Sequence, residues 1–234
     1  MPKFTAASDG ASHAAPPLWL PATTFALLFI VGLFFVTAFN GLPYYPGPWE
    51  EPETIAHFFA LRGDAAATCA AFQFGSAVPL GIYAATAYSR FGFHDVRAAG
   101  PAIALFGGIT TALTLIMSSA IGWGITFPGI AQDVSATHAL YRVAFALGGP
   151  GFSVPFGLLI LGIAIPGGLT GLLPRWLFWS GVVIGVIGEL SWLDLFWPKA
   201  LPLVPLTRFP GFVWLILAGV WLPARRVEKG AASA

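Results

Sequence analysis

The sequence predicts an all-α, polytopic membrane protein in which about six transmembrane helices pack as one bundle. Hydrophobic residues make up 57% of the 234 residues and charged residues only 9%, whereas soluble domains are about 25% charged. A hydrocarbon core of about 30 Å needs roughly 20 apolar residues per helix. Six stretches approach that length: residues 21–39, 65–89, 98–122, 145–170, 175–197 and 203–222.

The chain divides into one domain and two tails. Residues 17–224 contain all the predicted spans and form a single transmembrane domain. Residues 1–16, rich in Ala, Ser and Pro, are expected to be a flexible cytoplasmic tail, and residues 225–234 a basic cytoplasmic tail.

The distribution of basic residues predicts that both termini are cytoplasmic. With this orientation most of the eleven Lys and Arg residues fall on the cytoplasmic side, as the positive-inside rule requires. They are Lys3, Arg90, Arg97, Arg175, Arg225, Arg226 and Lys229.

The first outer loop is the longest predicted connection, and its Pro and Gly residues favour irregular backbone. Towards its end, "PETIAHFFALR" is typical of a short interfacial helix. We expect this helix to begin at Pro52 or Glu53, because proline is favoured in the first turn and acidic side chains complement the helix dipole there.

The fourth span is predicted to be broken at Gly148–Gly151. The stretch "THALYRVAFALGGPGFSVPFGLLILGIAIPGG" has about 30 residues of helical pattern, too many for one straight span, and "GGPG" interrupts it. Two interpretations stay open at this point. Either two half-helices meet inside the membrane, as at many transporter sites, or residues 136–147 form an outer interfacial helix that precedes an ordinary span.

Glu189 lies close to the middle of the fifth span, about 3 Å beyond it at 1.5 Å per residue. A carboxylate at this depth is expected to face other protein or a cavity rather than lipid. Gly181 and Gly185 share its helix face, and small residues let a neighbouring helix approach closely. Asp194, near Trp192, is instead expected at the outer aromatic belt as an interfacial group.

Five residues are the candidates for a ligand site in the outer half of the membrane. They are Glu189, Arg142, Gln73, His138 and Arg208. Three of them, His138, Arg142 and Arg208, could neutralise Glu189, and Arg142 is the favoured partner.

Span three carries a polar stripe at helical spacing, formed by Thr110, Thr114 and Ser118 with Gly107 on nearly the same face. Hydroxyl and small residues at this spacing usually mark helix–helix contacts, because they bond to backbone or to a neighbouring helix. A pore lining is the alternative.

The sequence has no signature of nucleic-acid binding, nucleotide binding or hydrolysis. Formal net charge is +1, and the basic patches of nucleic-acid binders are missing. No Walker A or G-x-S-x-G pattern occurs, so an enzyme is not favoured. His57 and His138 are both predicted on the outer side, where a bis-histidine haem or a His-carboxylate metal site is conceivable but has no supporting motif, so no cofactor is predicted.

Several stretches between about residues 60 and 225 carry a family resemblance. They include "GGPGFSVPFGLLILGIAIP" and "LLPRWLFWSGVVIGVIGELSWL", with Pro174-Arg175-Trp176 at the entry of span five and Trp214 in span six. In these stretches the chain resembles the bacterial multispanning membrane family called domain of unknown function 4386. The resemblance implies a bacterial cytoplasmic-membrane protein and no particular activity. Arg175 and Trp176 are expected to anchor their helix at the inner interface.

The sequence predicts location and architecture more closely than activity. The favoured function is binding or transport of a small molecule or lipid in a cavity in the outer half of the bilayer. The alternative is an accessory or structural subunit of a larger membrane complex, whose partners are lipids and other membrane proteins.

Overall fold

The computed structural model describes residues 12–225, and within that range the chain folds into eight α-helices and three short 3₁₀ helices. The α-helices are α1 (Trp19–Phe34), α2 (Pro52–Phe93), α3 (Ala99–Ile125), α4 (Pro128–Ala131), α5 (Val134–Gly148), α6 (Pro150–Leu169), α7 (Arg175–Leu190) and α8 (Leu203–Trp221). The 3₁₀ helices cover Ala38–Asn40, Ser191–Leu195 and Pro198–Ala200. The described residues form no β-strand beyond one isolated bridge, so the predicted all-α fold class is confirmed.

Five helical segments are long and apolar enough to cross a membrane. They are Pro52–Phe93, Ala99–Ile125, Val134–Leu169, Arg175–Leu195 and Pro198–Trp221. The first predicted span, residues 21–39, corresponds to α1, which has 16 residues and is therefore about 24 Å long.

Both ends of the described chain meet at the same end of the bundle, which makes the number of traversing segments even. His13 N donates to Ala224 O at 2.8 Å. Helix α1 begins beside Gly219 near the end of α8, and Gly32 near its other end packs against Phe72 of α2. Six segments therefore traverse the bundle. We call the end that holds residues 12 and 225 the terminal end, and the opposite end the loop end.

The terminal end is held by a buried arginine. Arg90, only 2% exposed, donates to Leu222 O at 3.1 Å and to Pro16 O at 3.3 Å. His13 Nε2 also lies 2.9 Å from Ser89 Oγ. Residues 12–16 of the predicted N-terminal tail thus contact the bundle, whereas the rest of that tail and residues 226–234 lie outside the described residues.

Helix α2 consists of two helical segments that meet at Arg62, where the backbone is not helical (φ −121°, ψ 27°). The predicted short helix therefore begins at Pro52 and ends at this kink. The guanidinium of Arg62 donates to Phe35 O at 3.0 Å and to Asn40 O at 3.1 Å. The kink thus ties the first loop to the bundle.

The predicted break in the fourth span is present at Gly149, whose ψ of −103° separates α5 from α6. Helix α5 packs along α3, because Ser118 Oγ donates to Ala144 O at 2.7 Å. Ser118 lies seven residues before the end of α3, or about 10 Å along its axis. The C-terminal half of α5 therefore lies within the bundle, as expected for two half-helices.

Helix α6 is the centre of the bundle and approaches its neighbours through glycines. A Cβ at Gly107 of α3 would lie 2.5 Å from Pro155 O, and one at Gly162 would lie 2.5 Å from Ala104 N. The two backbones are therefore nearly in contact, as the small residue in the polar stripe of α3 predicted. The phenylalanines Phe25, Phe29, Phe152, Phe156 and Phe212 form a buried cluster between α1, α6 and α8.

Candidate ligand-binding cavity

A cavity of about 290 Å³ lies at the loop end of the bundle, between α2, α3, α5 and the start of α8. Most of its wall is apolar. Its lining residues with polar side-chain atoms are Tyr45, Cys69, Gln73, Ser118, Ser119, Tyr141 and Arg208. This volume is at the lower limit of small-molecule pockets, which are about 300–1,000 Å³.

The proline-rich first loop covers the cavity through Tyr45, Pro46, Gly47 and Pro48. The loop is fastened on the cavity side, because the buried Tyr141 hydroxyl donates to Pro46 O. It is also fastened to the end of α1, where Tyr45 N donates to Val36 O at 2.9 Å. The loop, whose prolines impose an irregular backbone, thus covers the cavity.

The break between α5 and α6 explains the position of the Arg208 side chain. Gly149 departs from helical geometry and Pro150 has no N–H, so carbonyls at the end of α5 lack intrahelical donors. Arg208 Nη2 donates to one of them, Gly148 O. Its guanidinium also lies 4.8 Å from the ring centre of Phe152 and 5.1 Å from that of Phe29, within the range of cation–π contacts.

The charge of Arg208 has no acidic partner among the described residues. One carbonyl and two aromatic rings surround it, and its buried Nε has no hydrogen-bond partner. Some of the side chain stays accessible because it lines the cavity. The C-terminal end of α5 offers at most about half a negative charge, so a net positive charge remains at the cavity wall.

A second polar group of the cavity also lacks a protein partner. Ser119 is 3% exposed, and its Oγ makes no hydrogen bond. The neighbouring Ser118 is satisfied by Ala144 O. An unsatisfied buried hydroxyl costs about 1–3 kcal/mol, and this Oγ atom is itself buried although its residue lines the cavity.

Of the five residues predicted to form the ligand site, the structure brings Gln73 and Arg208 to the cavity and leaves Glu189, Arg142 and His138 out of its wall. His138 Nε2 is buried on α5 without a hydrogen-bond partner. Arg142 is exposed, and its guanidinium lies 6.0 Å from the ring centre of Trp49.

Glu189 lies in the interface between α6 and α7. Its Oε1 is buried without a hydrogen-bond partner and would be 3.1 Å from a Cβ at Gly157. Gly181 and Gly185, on the same face, pack against Ala164 and Leu161 of α6. The prediction that this face contacts other helices is confirmed, whereas the favoured pairing of Glu189 with Arg142 is wrong because Arg142 points to the first loop.

Asp194 is buried rather than interfacial, which corrects the sequence prediction. Helix α7 ends at Leu190, and the 3₁₀ helix that follows repeats every three residues. Ser191 and Asp194 therefore share the buried face, while Trp192 is 49% exposed. The indole of Trp49 lies beside the Asp194 carboxylate, although neither carboxylate oxygen has a partner at hydrogen-bonding geometry.

Sequence reasoning missed Ser119 and Tyr141. Ser119 is adjacent to the predicted polar stripe, which passes through Ser118, about 100° away around the helix. Tyr141 precedes Arg142, the charged residue that the sequence favours as the partner of Glu189. The pattern of α5 could have indicated Tyr141, because Thr137, Tyr141 and Ala144 follow helical spacing and are all buried.

The other predicted positions lie away from the cavity. Arg175 and Trp176 are exposed at the start of α7, at the terminal end, and the Trp176 ring lies 5.5 Å from that of Trp221. His57 is exposed on the first part of α2. Within residues 12–225, no group of three or more His, Cys, Asp or Glu residues is placed to hold a metal ion.

Comparison with known proteins gives no match. No family model, curated protein or solved structure matches this chain. The resemblance to domain of unknown function 4386 stays a prediction.

Proposed function

We propose that this membrane protein binds a small, largely apolar molecule in the cavity at the loop end. The observation that carries the proposal is a largely apolar cavity whose wall holds the guanidinium of Arg208, which has no acidic partner among the described residues. A charge at such a site is costly unless it is paired. A bound molecule with hydrogen-bonding atoms at one end would offset that cost.

The proposed setting is the bacterial cytoplasmic membrane, with both termini in the cytoplasm. The loop end then faces outwards, and the cavity lies in the outer half of the bilayer. The broken fourth span supports this function, since irregular backbone within a membrane is tolerated where it lines a cavity or is buried in protein. Either simple binding or transport is compatible with this arrangement.

Native mass spectrometry of protein extracted gently from its host membrane tests the proposal. We expect one chain to carry a reproducible small-molecule adduct. In Gly122→Leu the occupancy of this adduct should fall at least about tenfold, which corresponds to about 1.4 kcal/mol. Gly122 lines the cavity and a Cβ there would meet no atom within 4 Å, so leucine can occupy the space without a clash.

The control is Gly75→Leu, an exposed position on α2 where a Cβ also meets nothing. This variant should keep the adduct. A wild-type chain without any adduct would contradict the proposal. A stable assembly with other polypeptides and no cavity-dependent adduct would favour the accessory-subunit alternative.

A further inference from the structure

We infer that the ligand of this cavity carries one anionic oxygen-bearing group, of the carboxylate or phosphate kind, attached to a single short apolar chain. The inference rests on the proposed function and adds the chemical class of the ligand. Arg208 is the residue that would bind the anionic group.

The charge of the cavity is the first observation. Among the described residues that line it, Arg208 is the only charged side chain. Arginine stays protonated in proteins, so the wall carries a positive charge that its own residues do not neutralise. A buried charge is costly unless it is paired.

The two carboxylates nearest in sequence, those of Glu189 and Asp194, do not supply the pairing. Asp194 is buried and Glu189 is half-buried, and neither forms a hydrogen bond or ion pair with Arg208. The guanidinium contacts only a carbonyl and the faces of Phe29 and Phe152. An anion from outside the described chain would complete the set, with Nη1, which makes no hydrogen bond within that part of the chain, as its donor.

The geometry of the guanidinium is the second observation. Arg208 Nη2 is fixed by Gly148 O, and the two phenylalanine rings hold the guanidinium. A planar, fixed guanidinium with unused N–H donors on Nη1 is suited to a carboxylate or phosphate, which accepts more than one N–H bond at once.

The size and lining of the cavity indicate what kind of apolar chain is attached to the anionic group. About 290 Å³ is small for a pocket, and residues such as Leu33, Phe59 and Val204 make most of the wall apolar. A single short chain fits these limits, whereas a lipid with two long chains exceeds them. The ligand class is therefore a small single-chain amphiphile with one anionic head.

The test compares four probes that share an eight-carbon chain and differ in the head: octanoate, octyl phosphate, octanol and octylamine. Each is titrated at neutral pH into the full-length protein, and binding is measured by native mass spectrometry. We expect octanoate, octyl phosphate or both to bind at least tenfold more tightly than octanol and octylamine. The better of the two anions identifies the source as a free carboxylate or a phosphate ester.

Three variants test whether the preference for an anionic head depends on the charge of Arg208. Arg208→Met should reduce binding of the preferred anion at least tenfold and change octanol binding less than about twofold. Arg208→Lys should keep the anion preference. Arg142→Met, which removes an exposed arginine outside the cavity wall, should leave all four affinities unchanged.

The outcomes separate the two proposals. Equal or tighter binding of octanol or octylamine in the wild-type protein would overturn the anionic inference while the proposed binding function stands. An anion preference that survives in Arg208→Met would also overturn the inference. Failure of all four probes in the wild type, together with a purified chain free of adducts, would overturn both.

Discussion

Gly107→Leu should prevent the bundle from assembling. Gly107 lies where α3 crosses α6, and a Cβ there would be 2.5 Å from Pro155 O and 2.6 Å from Leu159 N. Both are backbone atoms, so no side chain can rotate to make room. Overpacking a well-packed interior costs about 1–3 kcal/mol and occasionally more. We expect this position to exceed that range, because the helices themselves must separate.

Fluorescence-detected size-exclusion chromatography of detergent-extracted protein measures this effect. Gly107→Leu should appear as aggregate or fail to accumulate. Gly75→Leu introduces the same side chain at an exposed helical glycine and should elute as the wild type does. A monodisperse Gly107→Leu with an unchanged melting temperature would show that α3 and α6 do not approach as described.

Arg90→Met is expected to destabilise the protein by about 2–4 kcal/mol. Arg90 is buried and donates to Leu222 O and Pro16 O, which come from opposite ends of the described chain. Hydrogen bonds from charged groups contribute about 1.5–3 kcal/mol each. Removal of the buried charge offsets part of this loss, so the net effect falls below the sum.

Thermal unfolding followed by tryptophan fluorescence measures this loss, and Arg97→Met is the control. Arg97 is exposed beside the same end of the bundle, so its replacement should change stability by less than about 0.5 kcal/mol. Equal melting temperatures for Arg90→Met and the wild type would mean that the terminal segments are held by other contacts.

The features that could be predicted from the sequence are those that local chemistry determines. The "GGPG" stretch predicts a break because proline cannot continue the hydrogen-bond ladder, and the break is at Gly149. Pro52 predicts a helix start for the same local reason. Apolar stretches of span length predict the traversing helices.

The pairing of side chains could not be predicted, because it depends on which helices are neighbours and on their rotation. Glu189 lies in a predicted span and Arg142 just before another. Arg142 nevertheless contacts the first loop, whereas Glu189 contacts α6. Arg208 is a predicted ligand-site residue and a possible partner of Glu189, and the structure places it at the cavity wall beside Gly148. Asp194 escaped prediction because a change from α to 3₁₀ geometry at Ser191 has no clear local signal.

The central claim is that the cavity holds a small ligand against Arg208. A high-resolution experimental structure of the protein, purified from its host membrane without added amphiphiles other than a mild detergent, tests it most directly. The account predicts non-protein density inside the cavity, within hydrogen-bonding distance of the Arg208 guanidinium. A collapsed cavity, with Arg208 paired to Glu189 or Asp194, would contradict it.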